Sequence, residues 1–180
     1  MTVSIHQPNF IPYSGFFEKM KASDIFVIMG NCQYEKGGYQ NRFYHDGAWN
    51  TMSVSAGMAP IIRKRYLNPV QDWKRITDKY PVLHEFDELI SWDLWRTNTA
   101  IIVKAANLLN IKTKIVFDYP TDLKGTDRLV DICKKNGATK YLSGISGKNY
   151  LDQKLFEEYK IEVEFQDEMK MDKRALVELL

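Results

Sequence analysis

Two stretches near the amino terminus decide the fold: Val3-Ser4-Ile5-His6-Gln7-Pro8-Asn9-Phe10-Ile11-Pro12-Tyr13-Ser14-Gly15-Phe16-Phe17 and Asp24-Ile25-Phe26-Val27-Ile28-Met29. The apolar run Val3–Ile5 reads as a strand that delivers His6, Gln7 and Asn9 into a turn held by Pro8 and Pro12. An amphipathic segment, Tyr13–Ala22, follows as a helix, and Asp24–Met29 reads as a strand buried on both faces. Strand, helix and buried strand make a βαβ opening of the doubly wound kind. In such folds ligands bind outside the carboxyl ends of the strands, where this polar turn lies. Prolines fix φ and remove donors, so side chains carried there are held rigidly.

The rest of the chain extends the pattern. Arg42–Tyr44 and Asn50–Val54 flank His45-Asp46-Gly47, a hairpin signal with Asp-Gly at its tip. Val70–Tyr80 and His84–Ser91 read as helices, and Leu94–Leu109 is a longer one with apolar residues at three-to-four spacing. Lys114–Phe117, Lys140–Leu142 and Ile161–Phe165 are strands. Thr126–Lys135 and a short segment near Tyr150–Tyr159 are helices between them. The expected fold is α/β: a Rossmann-like, mainly parallel sheet of about five strands, with helices on both faces and an inserted β-hairpin. Residues 1–180 are read as one domain. Trp92 and Trp95 are assigned to the core.

Composition narrows the classes of function. A hydrophobic share of 44% with 27% charged residues is ordinary for a globular protein. A formal charge of +2 does not announce a nucleic-acid binder, so that partner has to be argued from local clusters. Aromatics at 13% suit a protein that stacks on rings, although large cores use them as well. Cys32 and Cys133 have no paired spacing, and His6, His45 and His84 lie far apart. No disulfide framework, metal site or cofactor is therefore expected, and a reducing cytoplasm is. No signal peptide is recognised, and Ala100–Leu109, broken by Lys104, is far short of a membrane span.

Four clusters could carry chemistry. His6, Gln7 and Asn9, with Tyr13 behind them, can grip a phosphate or sugar, and His6 can also move a proton. The turn is similar to the phosphate-gripping turn of nucleotidylyltransferase-like folds. Phe16 stands where those folds carry a second histidine, so adenylyl transfer is not supported. The plain alternative is a βα turn with a satisfied histidine. The loop Gln33–Arg42 offers Lys36 and Arg42 as anion ligands, Tyr34 and Tyr39 as stacking surfaces, and Gln33, Gln40 and Asn41 as hydrogen-bonding groups. A solvated polar loop is the bland reading.

The third cluster is Ser143-Gly144-Ile145-Ser146-Gly147-Lys148, where a strand runs into small residues. It is neither a P-loop nor a nucleophile elbow, and anion binding and a tight structural turn both remain open. The fourth is Lys124-Gly125-Thr126-Asp127-Arg128. Thr126 or Asp127 would cap the helix, and Arg128 would reach the site or pair with Asp131. Arg63-Lys64-Arg65 is read as an exposed triplet, a solvated face or a phosphate-backbone contact.

Taken together, His6-Gln7-Pro8-Asn9-Phe10-Ile11-Pro12-Tyr13-Ser14-Gly15, Gln33-Tyr34…Lys36-Gly37-Gly38…Asn41-Arg42 and Asp127-Arg128…Ser143-Gly144…Ser146-Gly147…Tyr150-Leu151 resemble the WbqC-like family. Members are associated with bacterial surface-polysaccharide clusters, where a sugar-modifying role is inferred. Relatives in bacteriophages look like amino acid:DNA transferases that join glycine or another amino acid to phosphate-activated 5-hydroxymethyluracil. The resemblance implies a cytoplasmic transferase, in a host cytoplasm if phage-encoded. Its partners would be a free amino acid and DNA bearing a phosphate-activated base, or a nucleotide sugar, with no membrane. A non-catalytic module that binds a phosphorylated sugar or nucleotide is the alternative of another class.

In this reading His6 is base or phosphate ligand, with Gln7 and Asn9 beside it. Lys36, Arg42 and Ser143–Lys148 hold the leaving group, and Tyr34 or Tyr39 stacks on the acceptor. Tyr13, Gln33, Asn41 and Arg128 complete the substrate contacts, and Arg63, Lys64 and Arg65 touch DNA. The sequence departs from the family in having Gly30-Asn31 where an acidic pair usually ends the second strand. Its tail, Asp172–Leu180, is short, as expected of a compact phage protein.

Overall fold

The computed structural model describes residues 1–167 and 174–180; of the tail singled out above, Asp172 and Lys173 lie outside the described residues. Five strands form one sheet in the order β5-β2-β1-β6-β7, every neighbouring pair parallel. They are β1 (Thr2–His6), β2 (Ile25–Ile28), β5 (Lys114–Phe117), β6 (Lys140–Ser143) and β7 (Glu162–Phe165), while β3 (Arg42–His45) and β4 (Ala48–Thr51) make a separate antiparallel hairpin. The fold is thus the expected α/β class, with the main sheet entirely parallel. β1 is central: chain order runs outward from it first through β2 and β5, then through β6 and β7. The order reverses between β1 and β6, which is the switch point where such sheets open a crevice.

Alternation along the strands separates two cores. Phe26 and Ile28 pack with Phe16 and Met20 of α1 (Ser14–Lys21) and with Ile101 and Ile102 of α3 (Leu94–Leu108). Ile25 and Val27 face the other way, with Val3 and Ile5. They meet Leu129 and Ile132 of α4 (Gly125–Lys135) and Phe156 of α5 (Gln153–Glu158). The first core also takes Trp73 and Ile76 of α2 (Pro69–Lys79). Asp46 and Gly47 both have positive φ, 50° and 72°, which gives the hairpin its tight reversal.

Some local expectations fail for identifiable reasons. Pro81–Leu89 is a 3₁₀ helix rather than the α-helix expected over His84–Ser91. Its apolar residues Leu83, Phe86 and Leu89 recur every three positions, which aligns one face at three residues per turn. The segment Ile145–Asn149 is also 3₁₀, and the helix expected near Tyr150–Tyr159 is confined to α5, where the Asp152 side chain accepts from Lys154 N–H. Neither Thr126 nor Asp127 caps α4: Lys124 is at that position, and the Thr126 hydroxyl accepts from Asp152 N–H instead. Trp92 is not in the core but 60% exposed, whereas Trp95 closes over Gly30, where a Cβ would stand 2.1 Å from its ring.

Candidate active site

The turn after β1 is anchored from inside. Phe10 and Ile11 are buried, Phe10 N–H donates to the Tyr39 carbonyl at 2.8 Å, and Asn98 Nδ2 donates to the Pro8 carbonyl at 2.8 Å. Ile11 has a φ of 46°, a left-handed conformation that a β-branched residue adopts only under constraint. Fixed at both ends, the turn holds His6 and Gln7 at the sheet edge while Asn9 is buried beneath them.

Two hollows open there. A cleft of about 630 Å³ runs from the end of β2 to the start of α4, lined among others by Gln7, Asn31, Gln33, Lys124, Arg128 and Tyr150. A cavity of about 340 Å³ lies at the switch point, lined by His6, Lys19, Tyr141, Ser143, Gly144 and Ser146. Gln7, Met29, Glu35, Leu129 and Tyr150 line both hollows. These volumes fall in the range of small-molecule sites.

His6 and Lys19 dominate the smaller cavity. The His6 Nδ1 contacts the Gln7 carbonyl at 2.9 Å, so Nδ1 carries the proton and Nε2 is left as an acceptor. Burial, with the nearby Lys19 charge, lowers the His6 pKa to about 3. A neutral imidazole offering a lone pair suits an N–H partner; it repels a phosphate oxygen. Lys19 is 2% exposed, and its Nζ donates to the Ile5 carbonyl at 2.8 Å. Burial lowers its pKa to about 7, partly opposed by Cys133. Behind the wall formed by Ser143, Gly147 is required, because a Cβ there would stand 2.1 Å from Ser143 Oγ.

Behind the larger cleft the charge is organised by Asp118, its side chain buried just past β5 and not itself lining the cleft. Its carboxylate accepts from Gly30 N–H at 2.9 Å and from Asn31 N–H and Nδ2. It also pairs with Arg128, both side chains being buried. Of the two expected alternatives, Arg128 reaches the cleft rather than pairing with Asp131, and it does so paired with Asp118; Asp131 accepts from the Tyr119 hydroxyl at 2.6 Å and from Lys135. The Arg128 Nε is buried with no hydrogen-bond partner among the described residues. Burial pushes the Cys32 thiol up to about 11, so it is not a thiolate nucleophile at neutral pH.

The structure brings together only part of the residues singled out in the sequence. His6, Gln7, Gln33, Arg128, Ser143, Gly144 and Ser146 line the hollows. Lys36, Tyr34, Asn41, Arg42, Tyr13, Gly147 and Lys148 are not among the lining residues. Tyr34 donates to Asn41 Oδ1 at 2.8 Å, and Asn41 donates to the Met52 carbonyl. The Arg42 guanidinium donates to the Gly37 and Gly38 carbonyls and lies 3.9 Å over the Trp49 ring. Tyr39 and Tyr44 pack against the same Trp49, all three exposed.

The basic triplet is not an exposed unit: Lys64 is 2% exposed, and its Nζ donates to the Ser55 and Gly57 carbonyls. Arg63 and Arg65 remain at the surface, Arg65 beside Asp93 at 3.4 Å. A lysine standing among Phe16, Phe17 and Met20, and an aspartate closing an apolar strand, were the signals for Lys19 and Asp118. Among the described residues no cluster of histidine, cysteine and acidic side chains could hold a metal, and no helix is long and apolar enough to cross a membrane.

A doubly wound parallel sheet with cation-bearing hollows at its switch point places the chain in the α/β class. The profile of the WbqC-like protein family matches residues 7–173, and the chain belongs to that family. It is 26% identical over 195 residues to an uncharacterized protein of Mycobacterium tuberculosis (strain ATCC 25618 / H37Rv), Rv1507c, covering 92% of this chain and 81% of that one. No solved structure matches the chain.

Proposed function

We propose that this protein is a transferase that joins an amine or amino acid to a phosphate-activated acceptor, the favoured acceptor being 5-hydroxymethyluracil in phage DNA. The observation that carries the reading is the larger cleft. It opens at the start of α4 with Lys124 and Arg128 on its wall, and the buried Arg128 Nε has no partner among the described residues. Oriented cations and helix N–H groups favour an anion such as a leaving phosphate. In the reaction the amine lone pair attacks the activated methylene carbon. The C–O bond breaks, phosphate leaves with its electron pair, and the nitrogen loses a proton. Positioning and leaving-group stabilisation are the protein's main tasks.

The test is turnover with 15N-labelled glycine and an oligonucleotide bearing phosphorylated 5-hydroxymethyluracil. Mass spectrometry should find a new C–N bond formed in step with phosphate release. Tight binding of the phosphorylated acceptor without any product would favour the binding-module alternative. One observation favours the second acceptor: burial of Lys64 thins the basic surface available to a DNA backbone, and a cleft of 630 Å³ suits a nucleotide sugar. Product formed on a phosphate-activated nucleotide sugar, and none on DNA, would select it.

A further inference from the structure

The two hollows differ in how their charges are arranged, and the smaller one carries both signs without joining them. At its floor the Lys19 ammonium has one carbonyl partner, and Glu35 lines the same cavity from an exposed loop position. Among the described residues neither side chain forms an ion pair. A buried cation without a counter-ion is costly, and an anionic ligand removes that cost. Glu35 also lines the larger cleft, so it stands where the two hollows meet.

We propose that the cavity between the ends of β1 and β6 is the donor pocket, and that it takes a small zwitterion, an α-amino acid, with its carboxylate on Lys19 and its ammonium on Glu35. This assignment rests on the amine-transfer reading above. A donor bound this way has its carboxylate at the floor and its nitrogen at the junction, facing the acceptor carbon. The ammonium first gives one proton to the Glu35 carboxylate, which frees the nitrogen lone pair. That pair then forms the C–N bond while the C–O electron pair leaves with the phosphate, and the product nitrogen stays protonated as a secondary ammonium. The neutral His6 Nε2, an acceptor on the same wall, suits an N–H of the donor better than an anion.

Ligand-observed NMR on the full chain tests the pocket without any turnover. The probes are glycine, glycinamide, which lacks the carboxylate, and N-acetylglycine, which lacks the ammonium. Glycine should bind tightest. Lys19→Met should weaken glycine and N-acetylglycine by roughly tenfold to a hundredfold, the range of a charge-assisted contact, and leave glycinamide unchanged. Glu35→Gln should weaken glycine and glycinamide and spare N-acetylglycine. Glu35 is exposed, so this arm holds even if Lys19→Met fails to fold. Equal binding of all three probes, or glycine binding indifferent to both substitutions, would overturn the pocket. Charge-dependent glycine binding with no product on any acceptor would instead count against the transfer reading and leave the pocket standing.

Discussion

Lys19 on α1 and Arg128 on α4 are both buried cations beside the end of β1, and the fold treats them in opposite ways. Arg128 is paired with Asp118, which also collects the N–H groups of Gly30 and Asn31 at the end of β2. Lys19 has a single carbonyl, and burial brings it to about 7. A charge with its counter-ion in place is scaffold: it fixes where β2, β5 and α4 meet, and leaves only the Arg128 Nε without a partner among the described residues. A charge without a counter-ion changes its protonation state near neutral pH, and a ligand can change it too. On the proposed reading, the contrast puts rigidity on the acceptor side of β1 and responsiveness on the donor side.

The strongest way to break the contrast is to make Arg128 resemble Lys19. Asp118→Asn keeps an acceptor for the backbone N–H groups and removes the counter-ion from a buried guanidinium. Breaking a buried pair on one side costs about 3–5 kcal/mol. Urea unfolding should show a loss of that size, with the midpoint shifted and the slope retained. A loss below about 1 kcal/mol would mean that Arg128 reaches water and that the pairing is not structural.

Lys19→Met sharpens the other half. The lysine pKa is about 7 folded and 10.5 unfolded, so between these values the unfolded chain binds more protons and stability rises with pH. Below about pH 7 the penalty of a buried ammonium is fully present; above about 10.5 it is gone. The parent should gain on the variant by up to about 1.4 kcal/mol per pH unit across that window. His6 adds a second, acid-side window. Its pKa of about 3 lies below the ordinary 6.5, so stability should fall as pH drops from 6.5 towards 3. Thermal scans from pH 4 to pH 10 on the parent, Lys19→Met and His6→Gln separate the two. Parallel curves for parent and Lys19→Met would show that Lys19 does not titrate in that range.

Gly147→Ala tests whether the donor-side wall is as close as the geometry requires. The new Cβ would fall 2.1 Å from Ser143 Oγ and 3.0 Å from a Leu151 methyl, so Ser143 must leave its place. Overpacking of this kind costs about 1–3 kcal/mol. Glycine affinity should fall along with stability. Unchanged binding would place the donor away from Ser143.

What could be read from the sequence follows from which interactions are local. The strand at Ile25–Ile28 was legible because both faces are covered and the apolar run is unbroken. Lys114–Phe117 at the sheet edge was legible from its short apolar run, although none of its residues is buried. Asp46-Gly47 announced its turn through φ alone. His6 and Gln7 were legible because a strand end in an α/β sheet is where ligands sit. Lys19 and Asp118 carried only the local marks of a lysine among apolar residues and an aspartate closing a strand; what they face across the sheet, on which their roles depend, is not in any spacing. Arg42 illustrates the converse: it has the right chemistry for a phosphate, yet its guanidinium is occupied by carbonyls four and five residues away. Trp92 looked like core by type and lies at the surface, while Trp95, three residues on, packs against Gly30.

The last contrast concerns Lys64 and its neighbours; Lys64 is buried like Lys19, but its ammonium has two carbonyl partners where Lys19 has one. Two carbonyls accept from its Nζ, and the Tyr34 ring lies 4.7 Å away. It should therefore behave as scaffold: Lys64→Ala would strand those carbonyls and lower stability by about 1–3 kcal/mol. Arg63 and Arg65, exposed on either side of it, should be dispensable for folding, within about 0.5 kcal/mol as a double alanine variant. Their effect would appear only in binding. If DNA is the acceptor, each lost phosphate contact lowers the slope of log affinity against log salt by about 0.9 on duplex DNA. The double variant should then bind uniformly more weakly across sequences, with a slope reduced by up to about 1.8. A nucleotide sugar brings only its own phosphates to the cleft and touches neither arginine. A salt slope unchanged by the double substitution, together with intact turnover, would remove this surface from the site and move the acceptor from DNA to the sugar.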